Sequence, residues 1–339
     1  MSAQFKGRRI LLTGATGGLG FACARELIAR GHEVRAVGRQ LEPGQALEAL
    51  GAEFLAFDLE EEHDLTALLR GYDSVIHAAA LSASWGGREA FESANVDVTR
   101  RLLNAAAKRS IKRFVFISSP SIFASFEDRV GIGESDLPVD PPLNYYAQSK
   151  RAAERLVLAS RDDALACSVI RPRALVGEGD RVILPKLVEL AAREKIPMPR
   201  DGKALIELTD LRDAAWAICE AEERADDLKG RAINISGGNP RAVKEVAQQL
   251  AQALGKSPRF VTPRMPLLRV LAASLEGLAK LTGREAEPLL TRYTLATLAY
   301  SQSFDLAPAK RLLDYAPRYD GLATLLEQAH QMAGMGEPA

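Results

Sequence analysis

Residues 9–20 read RILLTGATGGLG, and the order of apolar and glycine positions in that stretch decides the fold. Ile10, Leu11 and Leu12 make a continuous apolar run of the kind that fills a parallel strand buried on both faces. Gly14, Gly17 and Gly20 follow at GxxGxxG spacing. Gly14 permits a tight turn, Gly17 lets backbone N–H groups approach a pyrophosphate, and Gly20 lets the next helix press on the strand beneath it. The phosphates of a dinucleotide then sit at the positive end of that helix, against Gly14, Thr16, Gly17, Gly18, Leu19 and Gly20. The helix is predicted over 19–30 and is closed by Gly31, and a second strand is predicted over 33–37. Together they complete a βαβ dinucleotide-binding unit.

Bulk properties narrow the function. The 339 residues are 47% hydrophobic and 26% charged, enough for one large or two interlocked domains of a soluble enzyme. Lys plus Arg and Asp plus Glu balance at 44 each, which argues against nucleic acid or an acidic membrane as partner. Cys23, Cys167 and Cys219 lie far apart within apolar patterns and are expected to be reduced core thiols, consistent with a cytoplasmic location. The opening MSAQFKGRR has no signal-like apolar stretch, and no run reaches the roughly 18 apolar residues of a membrane span. His32, His63, His77 and His330 lack ligand spacing, so no metal is expected.

Strand and helix keep alternating. Helices are expected over 42–51, 65–69, 91–109 and 145–160, and strands over 53–57, 74–80, 113–119 and 166–171; residues 124–143, rich in Gly and Pro, read as loop. The fold class is therefore α/β, a Rossmann-type doubly wound parallel sheet with a smaller, mostly helical C-terminal cap. The dinucleotide-binding domain is assigned to 7–175, with a return near 206–236, and the cap to 176–205 and 237–335. Helices are also expected over 184–193, 243–254 and 265–282, an extended stretch over 205–208, and a strand over Arg231–Ile235.

Tyr146 and Lys150 stand four apart on a predicted helix, so both project from one face, whereas Tyr145 points about 100° away. A neighbouring ammonium favours phenolate and is expected to lower a tyrosine from its usual pKa of about 10 toward working pH. Ser118, Ser119 and Ser121 fall at the carboxyl end of a strand, where open parallel sheets place ligands, and one hydroxyl there can donate to a substrate oxygen. The competing reading is a serine-built turn or cap. Asn95 is either a helix-start residue or a polar relay behind the pair.

These segments, in this order, resemble the extended short-chain dehydrogenase/reductases of the NAD-dependent epimerase/dehydratase superfamily. The resemblance rests on TGATGGLG at 13–20, Asp58-Leu59, HAAA at 77–80, ANVDVT at 94–99, ISSPSIF at 117–123, YAQSK at 146–150, RPRALVGEGD at 171–180, LTDLRDAAWAI at 208–218 and AINISGGNP at 232–240. The tail at 289–319 looks most like the 3β-hydroxysteroid dehydrogenase-like branch. By position the resemblance implies Tyr146 as catalytic acid/base, Lys150 on the nicotinamide ribose, Ser119 orienting the substrate carbonyl and Asn95 behind them. It also implies Asp58 at the adenine with Leu59 beside it, Ala78, Ala79 and Ala80 along the cofactor, and Pro172 facing the nicotinamide. A homodimer through 91–109 and 145–160 is implied too. Gly18 and Val98 depart from the family pattern, in ways that concern packing.

The second strand ends VGRQ, so Gly38 occupies the usual acidic position and Arg39 brings a charge that suits a 2′-phosphate. NADP is therefore expected over NAD. In 265–282 the stripe of Leu267, Leu271, Leu275 and Leu278 is expected to pack in the core or line an apolar pocket, in preference to touching a membrane surface. The substrate is then a hydrophobic hydroxy or keto compound, interconverted by hydride transfer. A nucleotide-sugar epimerase, dehydratase or reductase is the competing enzyme, with Arg173, Arg181, Lys186 and Arg292 as cations for its diphosphate. An NADP-sensing regulatory protein on the same fold is the alternative of another class.

Overall fold

A computed structural model of the chain describes residues 7–61, 63–160, 164–180, 183–191 and 193–334. Its central sheet holds seven parallel strands: β1 (Arg9–Thr13), β2 (Glu33–Gly38), β3 (Glu53–Ala56), β4 (Ser74–His77), β5 (Arg113–Ile117), β6 (Ala166–Pro172) and β7 (Arg231–Ile235). Their spatial order is β7-β6-β5-β4-β1-β2-β3. Strand side chains alternate between faces, and both faces are covered, which is why the strands are apolar throughout rather than every second residue. Ile10 and Leu12 join Ile76, Val115, Ile170 and Ile233 under α1 (Gly18–Ala29) and α4 (Leu211–Glu223). Leu11 joins Val37, Val75, Phe114 and Val169 under α2 (Val98–Lys108) and α3 (Tyr145–Ala159). Strand order reverses at β1, with β2 on one side and β4 on the other, so a crevice opens beyond their carboxyl ends.

Three elements differ from their sequence expectation. The strand expected over 74–80 stops at His77, because the Ala79 N–H leaves the ladder to donate to Thr13 Oγ1 at 3.2 Å. The helix expected over 91–109 is a short helix (Arg88–Phe91), a π-turn (Glu92–Asp97) and α2. The wide turn carries Asn95 with its amide committed to segments outside the helix. Within the Gly- and Pro-rich 124–143, Arg129–Ile132 is a strand paired with Gln302–Phe304; a partner so remote in sequence leaves no local signal.

The cap has its own core, in which Val176, Leu184 and Leu208 meet Val246 and Leu250 of α5 (Val243–Ala253). Beyond it lie α6 (Met265–Leu281), α7 (Arg292–Ala299) and α8 (Gly321–Gly334), the last contributing Leu322 and Leu325. The leucine stripe of α6 is not core: Leu267, Leu271 and Leu278 are 66%, 48% and 60% exposed. The buried face carries Ala272, Glu276 and Ala279 instead. Small alanines admit α7 closely, and Glu276 accepts from the Arg292 backbone N–H at 2.6 Å and its Nε at 2.8 Å. Close approach and that ion pair outweigh the leucines. No helix among the described residues is long and apolar enough to cross a membrane.

Candidate active site

The glycine turn is built by close backbone approach. Gly14 has φ +70° and lies so near the 78–79 segment that a Cβ would meet Ala79 N at 2.6 Å. At Gly20 a Cβ would meet Gly14 O at 2.1 Å, so this glycine lets α1 press on the turn itself rather than on the strand beneath. Gly17, exposed, is the N-cap of α1 and offers no side-chain cap to its first N–H groups. An open helix start beside a sterically bare turn fits a dinucleotide diphosphate.

A buried hydrogen-bond chain locks the adjoining segment. The Ala79 N–H donates to Thr13 Oγ1, Thr13 Oγ1 meets His77 Nδ1 at 2.7 Å, and His77 Nε2 meets Thr99 Oγ1 at 3.0 Å. Thr99 Oγ1 in turn donates to the Asn95 carbonyl at 2.6 Å. Donors and acceptors balance in one way: Nε2 carries the proton and Nδ1 accepts from Thr13. Burial holds His77 neutral, with its pKa pushed down to about 3, so it titrates nowhere near neutrality. Its signal in the sequence, a histidine ending an apolar strand, was legible only through the HAAA resemblance.

Asn95 does not touch the Tyr146 phenol or Lys150. Its Oδ1 accepts from the Leu81 N–H at 2.8 Å, and its Nδ2 donates to Leu81 O at 3.2 Å and to Ser149 Oγ at 2.9 Å. Ser149 Oγ donates to the Tyr146 carbonyl at 2.9 Å. Asn95 thereby ties the 81–82 segment to the helix that carries Tyr146.

The Ser119 and Ser82 hydroxyls lie near the Tyr146 phenol and favour its ionised form. Ser82 was not anticipated; it lies in a polar connection with no strand or helix pattern to mark it. Ser119 Oγ caps the short 3₁₀ turn Pro120–Phe123 by accepting from the Ser121 N–H at 3.2 Å, as the serine-built cap reading expected. Ser118 and Ser121 are buried with hydroxyl oxygens that have no partner among the described residues. Tyr145 faces away toward the cap, with the Lys280 Nζ 5.4 Å from its ring.

Lys150 is 2% exposed, donates from Nζ to the Ile117 carbonyl and sits 4.3 Å from the Phe116 ring centre. Burial pulls its pKa down to about 7, against the opposing attraction of Glu154. The expected lowering of the tyrosine is not found. Burial raises Tyr146 above its ordinary value, the two serine hydroxyls only partly offsetting this, and Lys150 exerts no resolved effect. Removal from water outweighs an ammonium whose own charge is destabilised.

At the end of β2, a Cβ on Gly38 would meet Thr16 Oγ1 at 2.6 Å, which explains why no side chain stands there. Arg39 is 66% exposed and lies 3.6 Å from both the Asp58 and Glu60 carboxylates. Asp58 Oδ1 also accepts from the Glu60 N–H at 2.9 Å, and Leu59 is buried beside it. Ala78 and Ala79 are half-buried, Ala80 is exposed, and Pro172 is buried at the end of β6. Of the diphosphate cations, Lys186 is paired with Glu287 at 2.6 Å and Arg292 with Glu276 at 2.8 Å. Arg181 lies outside the described residues. Cys23, Cys167 and Cys219 are buried thiols, and no cluster of metal-ligating side chains occurs among the described residues.

Comparison with known proteins identifies the family. Residues 10–236 match the NAD dependent epimerase/dehydratase family. The chain is 31% identical over 315 residues to a 2-alkyl-3-oxoalkanoate reductase of Stenotrophomonas maltophilia, covering 91% of this chain and 95% of that one. It is 28% identical over 328 residues to a 3-beta-hydroxysteroid dehydrogenase of Mycolicibacterium neoaurum, covering 92% and 87%. Among solved structures, MoeE5 in complex with UDP-glucose and NAD superposes with a TM-score of 0.73 at 26% identity, covering 96% and 99%. The chain belongs to the NAD-dependent epimerase/dehydratase family and is an extended short-chain dehydrogenase/reductase.

Proposed function

We propose that the protein interconverts a ketone and an alcohol on a hydrophobic substrate with NADP(H), using Ser119, Tyr146 and Lys150. The observation that carries this reading is the Tyr146 phenol with the Ser119 and Ser82 hydroxyls near it beyond the carboxyl end of β5, and a buried Lys150 one helical turn further along the same helix. A nicotinamide dinucleotide would supply or accept the hydride. Gly14, Thr16, Gly17, Gly18, Leu19 and Gly20 would hold its diphosphate, Asp58 and Leu59 its adenine, and Ala78, Ala79, Ala80 and Pro172 its nicotinamide half, with Lys150 on the ribose. Burial keeps Tyr146 protonated at neutral pH, so its hydroxyl is poised to give a proton to a developing alkoxide. The resting site therefore suits ketone reduction. Ser119 is placed to donate to the same oxygen, and Asn95 positions Tyr146 through Ser149.

Arg39 supports NADP, although Asp58 and Glu60 share its charge. Residues 7–175 with the return near 206–236 serve as the nucleotide-binding part, and the rest as the cap. The ion pairs on Lys186 and Arg292 disfavour a nucleotide-sugar diphosphate. The test follows nicotinamide absorbance with both cofactors against 3-oxo acids, apolar ketones, a hydroxysteroid and UDP-glucose. Oxidation of reduced cofactor by an apolar ketone or oxo acid is expected; turnover of UDP-glucose alone would reject this reading.

A further inference from the structure

Arg171 and Arg173 flank Pro172 at the end of β6, and they are treated in opposite ways. Arg171 is 4% exposed and fully engaged: it pairs with Glu154 through Nε at 3.0 Å and through Nη2, and reaches Asn234 at 3.4 Å. Arg173 is 8% exposed, yet its guanidinium makes no hydrogen bond or ion pair among the described residues, and its Nε is buried without a partner. Its backbone is fixed, the N–H donating to Ile235 O at 2.8 Å and the carbonyl accepting from the Thr209 hydroxyl.

Buried guanidinium groups are ordinarily paired, because an uncompensated buried charge is strongly unfavourable. Among the described residues no counter-charge lies at bonding distance from Arg173. Glu207, the nearby carboxylate, is itself buried and engaged by the Phe304 N–H at 3.2 Å. Arg173 directly follows Pro172 at the carboxyl edge of the sheet, the edge at which Ser119 also lies, and Tyr293, from the first turn of α7, is near enough to act electrostatically on both Arg173 and Tyr146.

Resting on the function proposed above, we infer that Arg173 is the seat for a carboxylate on the substrate, so that the protein acts on an apolar oxo or hydroxy acid rather than a neutral ketone or sterol. A single planar guanidinium matches one carboxylate in charge and in fork geometry, whereas a diphosphate calls for more than one cation, and Lys186 and Arg292 are already paired. A carboxylate on that seat would sit at the sheet edge that also carries Ser119, on the side of the substrate where the reacting carbon is proposed to lie.

The experiment compares 3-hydroxydodecanoate with its methyl ester on the full chain. Oxidation is followed by nicotinamide absorbance, and binding by calorimetry. The acid is expected to exceed the ester by about tenfold to a hundredfold in kcat/KM, mostly through KM, and Arg173→Met is expected to bring that ratio toward one. Arg173→Lys is expected to retain part of it. Equal use of acid and ester by the unmodified protein, which needs no variant, would overturn the seat, as would an equal loss on both substrates in Arg173→Met. Arg173-dependent binding of the acid without turnover of either compound would uphold the seat and reject the oxidoreductase reading.

Discussion

The glycine turn and the crevice beside it sit at the same edge of one sheet but are made by opposite means. The turn is defined by what is missing: backbone meets backbone at Gly14 and Gly20, and any side chain would collide. The crevice is defined by polar groups taken out of water, with His77, Asn95 and Lys150 each at most 2% exposed and each held by bonds between segments distant in sequence. Sterics therefore govern one half of the site and solvation the other. Substitutions in the turn should act on folding and nucleotide binding together, and those in the crevice on turnover.

Tyr146→Phe separates the two most sharply: turnover is expected to fall by about 10³-fold while nucleotide affinity and the unfolding midpoint hold, as read by steady-state kinetics and fluorescence titration. Gly20→Ala should do the reverse, costing about 3 kcal/mol of stability in denaturant unfolding and weakening nucleotide binding in parallel, because the added carbon meets a carbonyl that has no room to yield. Asn95→Ala sits between them. It removes bonds to Leu81 and Ser149, and is expected to cost about 2 kcal/mol and to slow turnover without changing nucleotide affinity.

A pH series sharpens the solvation side. The folded Lys150 loses its proton near pH 7 and the unfolded one near 10.5, so between those values the unfolded chain binds more protons and stability from this group rises with pH. Below about 7 both states are charged and the burial penalty is felt in full. Unfolding curves of the native chain minus those of Lys150→Met should rise across that window; a flat difference would refute the depressed lysine. The smallest effect is at the rim: Arg39→Glu is expected to weaken NADPH by about tenfold and NADH by much less, since Arg39 is exposed and already shares its charge with two carboxylates.

The turn was legible because geometry leaves it one choice of residue, and the apolar strands were legible because both faces of the sheet are covered. Tyr146, Lys150 and Ser119 could be placed by helix register and strand end. Ser82 and the partners of Asn95 could not, since each depends on a segment met only after folding. The direction of the Tyr146 shift was misjudged for a related reason: a spacing of four shows that two side chains share a face, not how much water is left around them. The α6 leucines misled because hydrophobicity does not say which face packs when the opposite one offers alanines and an ion pair.

Gly18, read from the resemblance as a departure that concerns packing, is where a Cβ would meet Gly179 O at 2.7 Å. The connection that leaves the sheet for the cap thus rests, main chain on main chain, against the first residue of α1. Even a methyl group would act as a wedge between the two halves. Cap placement is in this way gauged directly from the glycine turn, to a tolerance smaller than one carbon atom.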